Sequence, residues 1–436
     1  LLAGPGVTAK AFALARENEM HTITKRILLS LLLIANSMNT YAALSVQLAE
    51  QLALEQDPVL KASQAQSEAY REQATAEDTL PDPKMKIGFM NFPTDTYERD
   101  QEPMTQIQVG IEQMIPRGDM QQIKSRRAMK SSEAAQAMTE NRRRMVIMQV
   151  RNAYIELLYW LNAEKVVLRS QKLFNRLVDI TQAQYASGQQ RQQDVIRAEL
   201  ELDMLADRLD EIRTRQDAAR AALAKLIGYE QASQPLLETL PSFADLSPAS
   251  QHAEQLRQHP VMHNLDAMVA NSQYGIELAR QEYKPNWMIG VTYGFRDGFN
   301  PDGSERPDFL SAMVTFDVPL FTGNRQDKKV AASRLRHQAS METREDKLRE
   351  LQQQLSESMS SWQRLNDRLQ RYNQTIVPQS RENARAALFA YQNRRGEFTA
   401  LMRARITELE TDLKQLRLRV DYLKAHARLL YLLGEK

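Results

Sequence analysis

One unit occurs twice in this chain. Glu55-Gln56-Asp57-Pro58-Val59-Leu60 reappears as Arg257-Gln258-His259-Pro260-Val261-Met262, and Leu80-Pro81-Asp82-Pro83-Lys84-Met85-Lys86-Ile87-Gly88 as Glu282-Tyr283-Lys284-Pro285-Asn286-Trp287-Met288-Ile289-Gly290, both at an offset of 202 residues. Farther on, Met114-Ile115-Pro116 answers to Asp317-Val318-Pro319 at 203, and Tyr185 to Tyr391 at 206. Solenoid repeats are only about 20–50 residues long. The long period therefore indicates a duplicated domain whose two copies lie side by side in one assembly.

Composition narrows the class. A net charge of +2 with 26% charged residues implies no nucleic-acid partner. Cysteine is absent, which removes disulfides, thiolate metal sites, a Cys nucleophile and an acylated N-terminal Cys. Met20, Lys25 and Arg26, the apolar run Ile27–Ala35 and the small residues near Ala42 read as a signal peptide over 20–42, too short to span a membrane. Residues 1–19 read as an upstream or expression-derived segment. No later stretch is a candidate transmembrane helix, so a membrane role requires a β-barrel.

Four segments carry a period of two: residues 84–92, 105–115, 287–296 and 309–318. Met85, Ile87 and Phe89 alternate with Lys84, Lys86 and Gly88. Ile107, Val109 and Ile111 alternate with Gln106, Gln108 and Gly110. Trp287, Ile289, Val291, Tyr293 and Phe295 alternate with Met288, Gly290, Thr292 and Gly294. Such lengths suit a tilted membrane-spanning strand of about 9–11 residues. Two readings fit: soluble hairpins packed on helices, or pieces of a barrel wall.

The remainder is helical. Met120–Ala186 has no Pro or Gly, and at ~1.5 Å per residue such a helix reaches roughly 100 Å. A second long helix runs to about Leu226. Copy two repeats the design after Gly396, where Met402, Ile406, Leu409, Leu413, Leu416, Val420 and Leu423 step by four and three, a knobs-into-holes seam. The return helix from Gln326 is interrupted only by Pro378. The chain divides into a first repeat, 43–228, a Pro-rich linker, 229–248, and a second repeat, 249–436. Each repeat reads as helix, β-hairpin, then long helical hairpin. Four strands cannot close a barrel, and open edges are not tolerated in lipid. Three chains would supply twelve strands and pack their helical hairpins into a tube.

With these parts in order, the chain resembles the TolC-like outer-membrane efflux protein family. The resemblance rests on Asp57-Pro58 and His259-Pro260, the strand approach Leu80-Pro81-Asp82-Pro83, and the strand exits Ile115-Pro116-Arg117-Gly118 and Val318-Pro319-Leu320-Phe321-Thr322-Gly323. It rests also on the helical turn Tyr185-Ala186-Ser187-Gly188 leading to Asp194. It implies a mainly α protein with a membrane β-barrel: a homotrimer with a 12-strand barrel in the outer membrane of a Gram-negative bacterium and an α-helical tunnel in the periplasm. It implies a passive duct, coupled through a periplasmic adaptor to an inner-membrane efflux pump. The stretch Leu80–Asp119 looks like the heavy-metal branch, which implies copper, silver or other metal cations as cargo. The alternative from another class is a soluble periplasmic coiled-coil adaptor or scaffold.

The resemblance assigns positions. Gln190, Asp194, Arg197, Glu397 and Arg403 fall at the periplasmic aperture, and Tyr185, Gly188, Tyr391 and Gly396 at the adaptor contact. Relatives carry acidic residues where this chain has Ala400 and Arg403, so an anionic ring would come from Asp194 in copy one. Ile107, Val109, Trp287, Val291 and Tyr293 are expected to face lipid. The turn residues also have a plain reading, as polar caps of a solvated turn. His252, His259 and His263 are spaced for one helix face, yet lack an acidic neighbour in the zinc pattern, and solvated positions are expected. The run Arg142-Arg143-Arg144 is expected on a solvated face. Met85, Met90, Met104, Met114 and Met120 are soft ligands in principle and gap-fillers by default. No nucleophile elbow or phosphate loop is present, so neither an enzyme nor a cofactor is expected.

Overall fold

The structure is a computed structural model and describes residues 43–434; the expected signal peptide and the segment before it lie outside the described residues. Copy one comprises α1 (Val46–Gln56), α2 (Pro58–Glu77), β1 (Lys84–Met90), β2 (Gln106–Ile115), α3 (Met120–Ala186) and α4 (Gln192–Ile227). A short α5 (Tyr229–Ala232) opens the connection to copy two. Copy two comprises α6 (Ala249–Arg257), α7 (Pro260–Gln281), β3 (Trp287–Phe295), β4 (Phe309–Phe316), α8 (Gln326–Arg371), a π turn (Tyr372–Ile376), α9 (Val377–Gln392) and α10 (Phe398–Leu433). Every expected strand is present within two residues of its expected bounds. The expected interruption at Pro378 is the π turn: proline has no N–H and crowds the carbonyl four residues back, and a wider turn relieves both.

The strands form one antiparallel sheet in the order β1-β2-β3-β4. The helices form a row in the same order, with α3 and α8–α9 running its full length. Upper α2 and lower α4 pack along α3, while α7 and α10 lie between α3 and α8–α9. Gln326–Gln392 spans the same 67 residues as α3, and α10 the same 36 as α4. The duplication is thus metric as well as sequential. Helices α1 and α6 add a partial second layer. Leu44, Tyr154, Leu157, Leu223 and Ile227 form its core, and Leu44 pairs with Leu236 to bind the inter-copy connection.

The helix breaks at Asp57 and His259 are built differently. Asp57 caps α2 by accepting from Leu60 N–H at 2.6 Å, and takes two hydrogen bonds from Arg142 at 2.7 and 3.2 Å. The hydrogen bond from Arg142 holds its carboxyl below the usual range, against the opposing cost of burial. Arg142 therefore does not belong to a merely solvated face. A second node joins the copies: Arg417 donates to Glu156 at 3.0 Å, and Lys424 lies against the same carboxylate.

His259 corrects the expectation of solvated histidines. It is 0% exposed, caps α7 by accepting from Val261 N–H at 3.3 Å, and packs edge-on against Tyr431 at 5.2 Å. His252 is also buried, on α6, while His263 is exposed on α7, so the three do not share a face. Burial first, then the charge of Arg144, pushes the His259 imidazole from 6.5 down to about 4. Between those values the unfolded chain binds the extra proton. This contribution to stability is complete above about pH 6.5 and is lost progressively as pH falls toward 4. Going from pH 7 to pH 5 is expected to cost about 2 kcal/mol through this residue. His259→Asn retains a capping acceptor and should lose that slope. Thermal unfolding at the two pH values checks it; equal slopes for parent and variant would show that His259 protonates without penalty in the folded state.

Candidate functional site

Two regions gather the candidate residues, the sheet face and the far ends of the helical hairpins. In the sheet, register decides the faces, because directly paired residues share one. Val109 pairs with Tyr293, Ile111 with Val291, Ile107 with Phe295, and Ile115 with Trp287. Ile87 pairs with Val109, Val314 with Ile289, and Leu310 with Tyr293. Ile107, Val109, Trp287, Val291 and Tyr293 therefore fall on one apolar face that crosses all four strands. It is open to solvent in the single chain, Val291 being 44% exposed. The other face carries Gln106, Gln108, Thr292, Ser311 and Thr315, with Lys86 paired to Glu112.

Aromatic rings mark both ends of the apolar face. Trp287 packs at a tilt against Phe316, with ring centroids 4.9 Å apart, at the end nearer the helices, and Tyr293 meets Phe295 at 4.9 Å at the other. Trp287–Phe295 rises ~26 Å at 3.3 Å per residue, which matches a tilted strand crossing an apolar band about 25 Å tall. The methionines do not converge. Met85 lies on the apolar face, while Met90 and Met114 lie on the other face at opposite ends of the sheet. Met85, Met90 and Met104 are exposed, so they fill no gap within the chain.

At the far end the two hairpin turns lie against each other. Tyr391, 2% exposed, donates from its hydroxyl to Gln184 at 2.7 Å, accepts from Gln190 at 3.4 Å, and packs on Phe398 with ring centroids 5.7 Å apart. Arg394 donates to Gln189 at 2.9 Å. Phe174, Leu177, Leu205, Phe398, Leu401 and Met402 continue the contact along both hairpins. Tyr185, at the matching position of copy one, is 46% exposed. Asp194 sits half-buried in the first turn of α4, where the helix N-terminus favours an anion. Arg197, Glu397 and Arg403 are exposed. Among the described residues none of these four charges has an ion-pair partner within the chain.

The turn contains a residue that sequence reading missed. Gly188 takes φ 70°, and its counterpart is Arg394 at φ 57°, not Gly396. Both turns close alike: Gly188 N–H donates to Tyr185 O at 2.9 Å and Arg394 N–H to Tyr391 O at 3.0 Å. Counting 206 residues from Gly188 would have found Arg394. A non-glycine in this left-handed conformation costs about 1–2 kcal/mol. Gly396 serves another purpose, since a β-carbon there would press on Ala390 and the Tyr391 backbone.

With this geometry described, comparisons with known proteins can be stated. The model of a family described as Outer membrane efflux protein matches residues 49–229 and 253–435. Among solved structures, VceC of Vibrio cholerae aligns at 17% identity and a TM-score of 0.74, over 89% of this chain and 96% of that one. The open state of the MtrE outer-membrane channel of Neisseria gonorrhoeae aligns at 19% identity and a TM-score of 0.74, over 89% of each chain. The CmeC outer-membrane channel of Campylobacter jejuni aligns at 14% identity and a TM-score of 0.74, over 89% of this chain and 85% of that one. No curated protein matches the sequence.

Proposed function

Because the chain belongs to the outer membrane efflux protein family, we propose that it is the passive exit duct of a tripartite efflux system, working as a homotrimer. An inner-membrane pump would deliver cargo through a periplasmic adaptor. The carrying observation is the four-stranded sheet, apolar over one face and unpaired at the outer edges of β1 and β4. Its even, alternating strand order lets β4 of one chain pair antiparallel with β1 of the next. Three chains close twelve strands with no edge left in lipid. A soluble adaptor would leave that face unexplained.

Cross-linking in detergent is expected to trap a three-chain species, and purified protein should form channels in planar bilayers. A water-soluble monomer that forms none would overturn the duct. At the hairpin ends, three copies of Asp194 about the axis would form an anionic ring, tied shut by Arg197 or Arg403 of neighbouring hairpins. Asp194→Ala with Arg403→Ala should then raise single-channel conductance and weaken blockade by multivalent cations added on the periplasmic side. Parental conductance in the double variant would place the gate elsewhere. Tyr185, Gly188, Tyr391 and Gly396 are the proposed adaptor footprint. For cargo, the likeness of Leu80–Asp119 to the heavy-metal branch favours copper, silver or other metal cations, whereas Arg127, Lys328 and Arg336, which line cavities among the helices below the sheet, favour anions.

A further inference from the structure

Below the sheet, a cavity of about 490 Å³ is lined by Tyr70 of α2, Arg127 and Lys130 of α3, Asn271 of α7, and Arg336 and Ser340 of α8. It draws side chains from all four columns of the row, including the two outermost. Only the concave side of a bent row allows that. The second layer agrees: α1 borders α3 at Thr139, Glu140 and Arg143. At 3.6 residues per turn these lie on roughly the opposite side of α3 from Arg127 and Ala134. The cavity therefore lies on what becomes the inner wall when the row closes into a tube. A second cavity of about 650 Å³ shares Gly275, Ser333 and Arg336 with the first and adds Lys124, Arg325, Lys328 and Lys329.

Among the described residues, Glu282 is the only carboxylate lining either cavity, and Lys329 already binds it at 2.6 and 2.8 Å. Lys124 and Lys130 have partners in Glu77 at 3.2 Å and Glu133 at 2.7 Å. Arg325, Lys328 and Arg336 have no ion-pair partner among the described residues, and Arg127 donates from Nε to the neutral Asn271 at 3.2 Å. The wall thus holds a surplus of cations on facing helices. A concave wall of one sign focuses its field into the water it encloses. Ala134, Ala135 and Met268 supply an apolar floor beside them.

We infer that this wall is an anion-binding vestibule, in which Arg127, Lys328 and Arg336 hold the phosphate, sulfate or carboxylate group of an amphiphilic organic anion on its way out. The inference rests on the exit-duct reading and gives that duct a cargo class. Three copies around the axis would make a basic ring beneath the barrel.

The test uses the full trimer in planar bilayers, with inorganic tripolyphosphate as the probe. Channel formation is scored first, in the absence of the probe; a parent that forms no channels defeats the duct, and this inference with it. In a KCl gradient the parental channel is expected to reverse on the chloride side, and tripolyphosphate should block it. Arg127→Gln, Lys328→Gln and Arg336→Gln combined should raise the half-blocking concentration at least about tenfold, as loss of charge-assisted contacts requires. Arg336→Gln alone should shift it partway, and Arg336→Lys should shift it less, which keeps the test intact if the triple variant assembles poorly. A parent that conducts but is not blocked, or equal block in parent and Arg336→Gln, would overturn the vestibule while leaving the duct standing.

Discussion

Val291→Arg is expected to abolish assembly in the membrane, whereas Thr292→Arg, one residue along the same strand, is expected to assemble. Val291 pairs with Ile111 on one side and Ala312 on the other, in the middle of the apolar face. In the proposed barrel an arginine there would meet the bilayer midplane at a cost of about 2–4 kcal/mol per chain, and a trimer would incur that cost three times. Thr292 pairs with Gly110 and Ser311 on the opposite face, which would line the water-filled lumen of the proposed barrel and where the missing glycine side chain leaves room. Heat-resistant trimer on gels and surface protease protection of intact cells report assembly. Equal tolerance of the two substitutions would show that this facing assignment is wrong.

The second large effect is expected at Tyr391. Its ring is buried between the two hairpin turns, and truncating such an aromatic costs about 3–5 kcal/mol. Tyr391→Ala should therefore part the turns and free the backbone around Arg191, Arg394 and Arg395, whose side chains are already exposed, for cleavage by trypsin. Tyr391→Phe keeps the packing and gives up the bond to Gln184, worth about 1 kcal/mol, together with the long contact from Gln190. Trypsin digestion of the detergent-solubilised protein with mass readout checks the order: rapid turn cleavage for the alanine variant, near-parental resistance for phenylalanine. An alanine variant as resistant as the parent would mean that other contacts hold the turns together.

Much of the fold was legible because its signals are local and repeated. The ends of α3 follow from the glycines that flank a Pro-free run, and the strands follow from an alternation that the register preserves. What stayed hidden depends on distance in sequence. Asp57 meets Arg142 across 85 residues and Glu156 meets Arg417 across 261, and no periodicity announces such pairs. His259 looked solvated because a lone histidine at a helix start carries no mark of the layer that covers it. Arg394 was hidden by the habit of seeking glycine at a left-handed position. The basic wall was hidden because its lysines and arginines are scattered over two copies and converge only when α3, α7 and α8 stand side by side.

The π turn at Tyr372–Ile376 sets the phase of everything below it. The two long helices have equal length, but a turn holding one residue more slips the lower part of α9 by about 100° relative to its counterpart in α3. Tyr185 and Tyr391 stand the same number of residues from their helix starts and yet face different ways, one outward and one into the neighbouring hairpin. In the proposed ring of six hairpins, that single slip would turn a nearly sixfold object into a threefold one. Hairpins would then stand in couples, clasped within each chain, and the seams between chains would be left as the places where the ring can part.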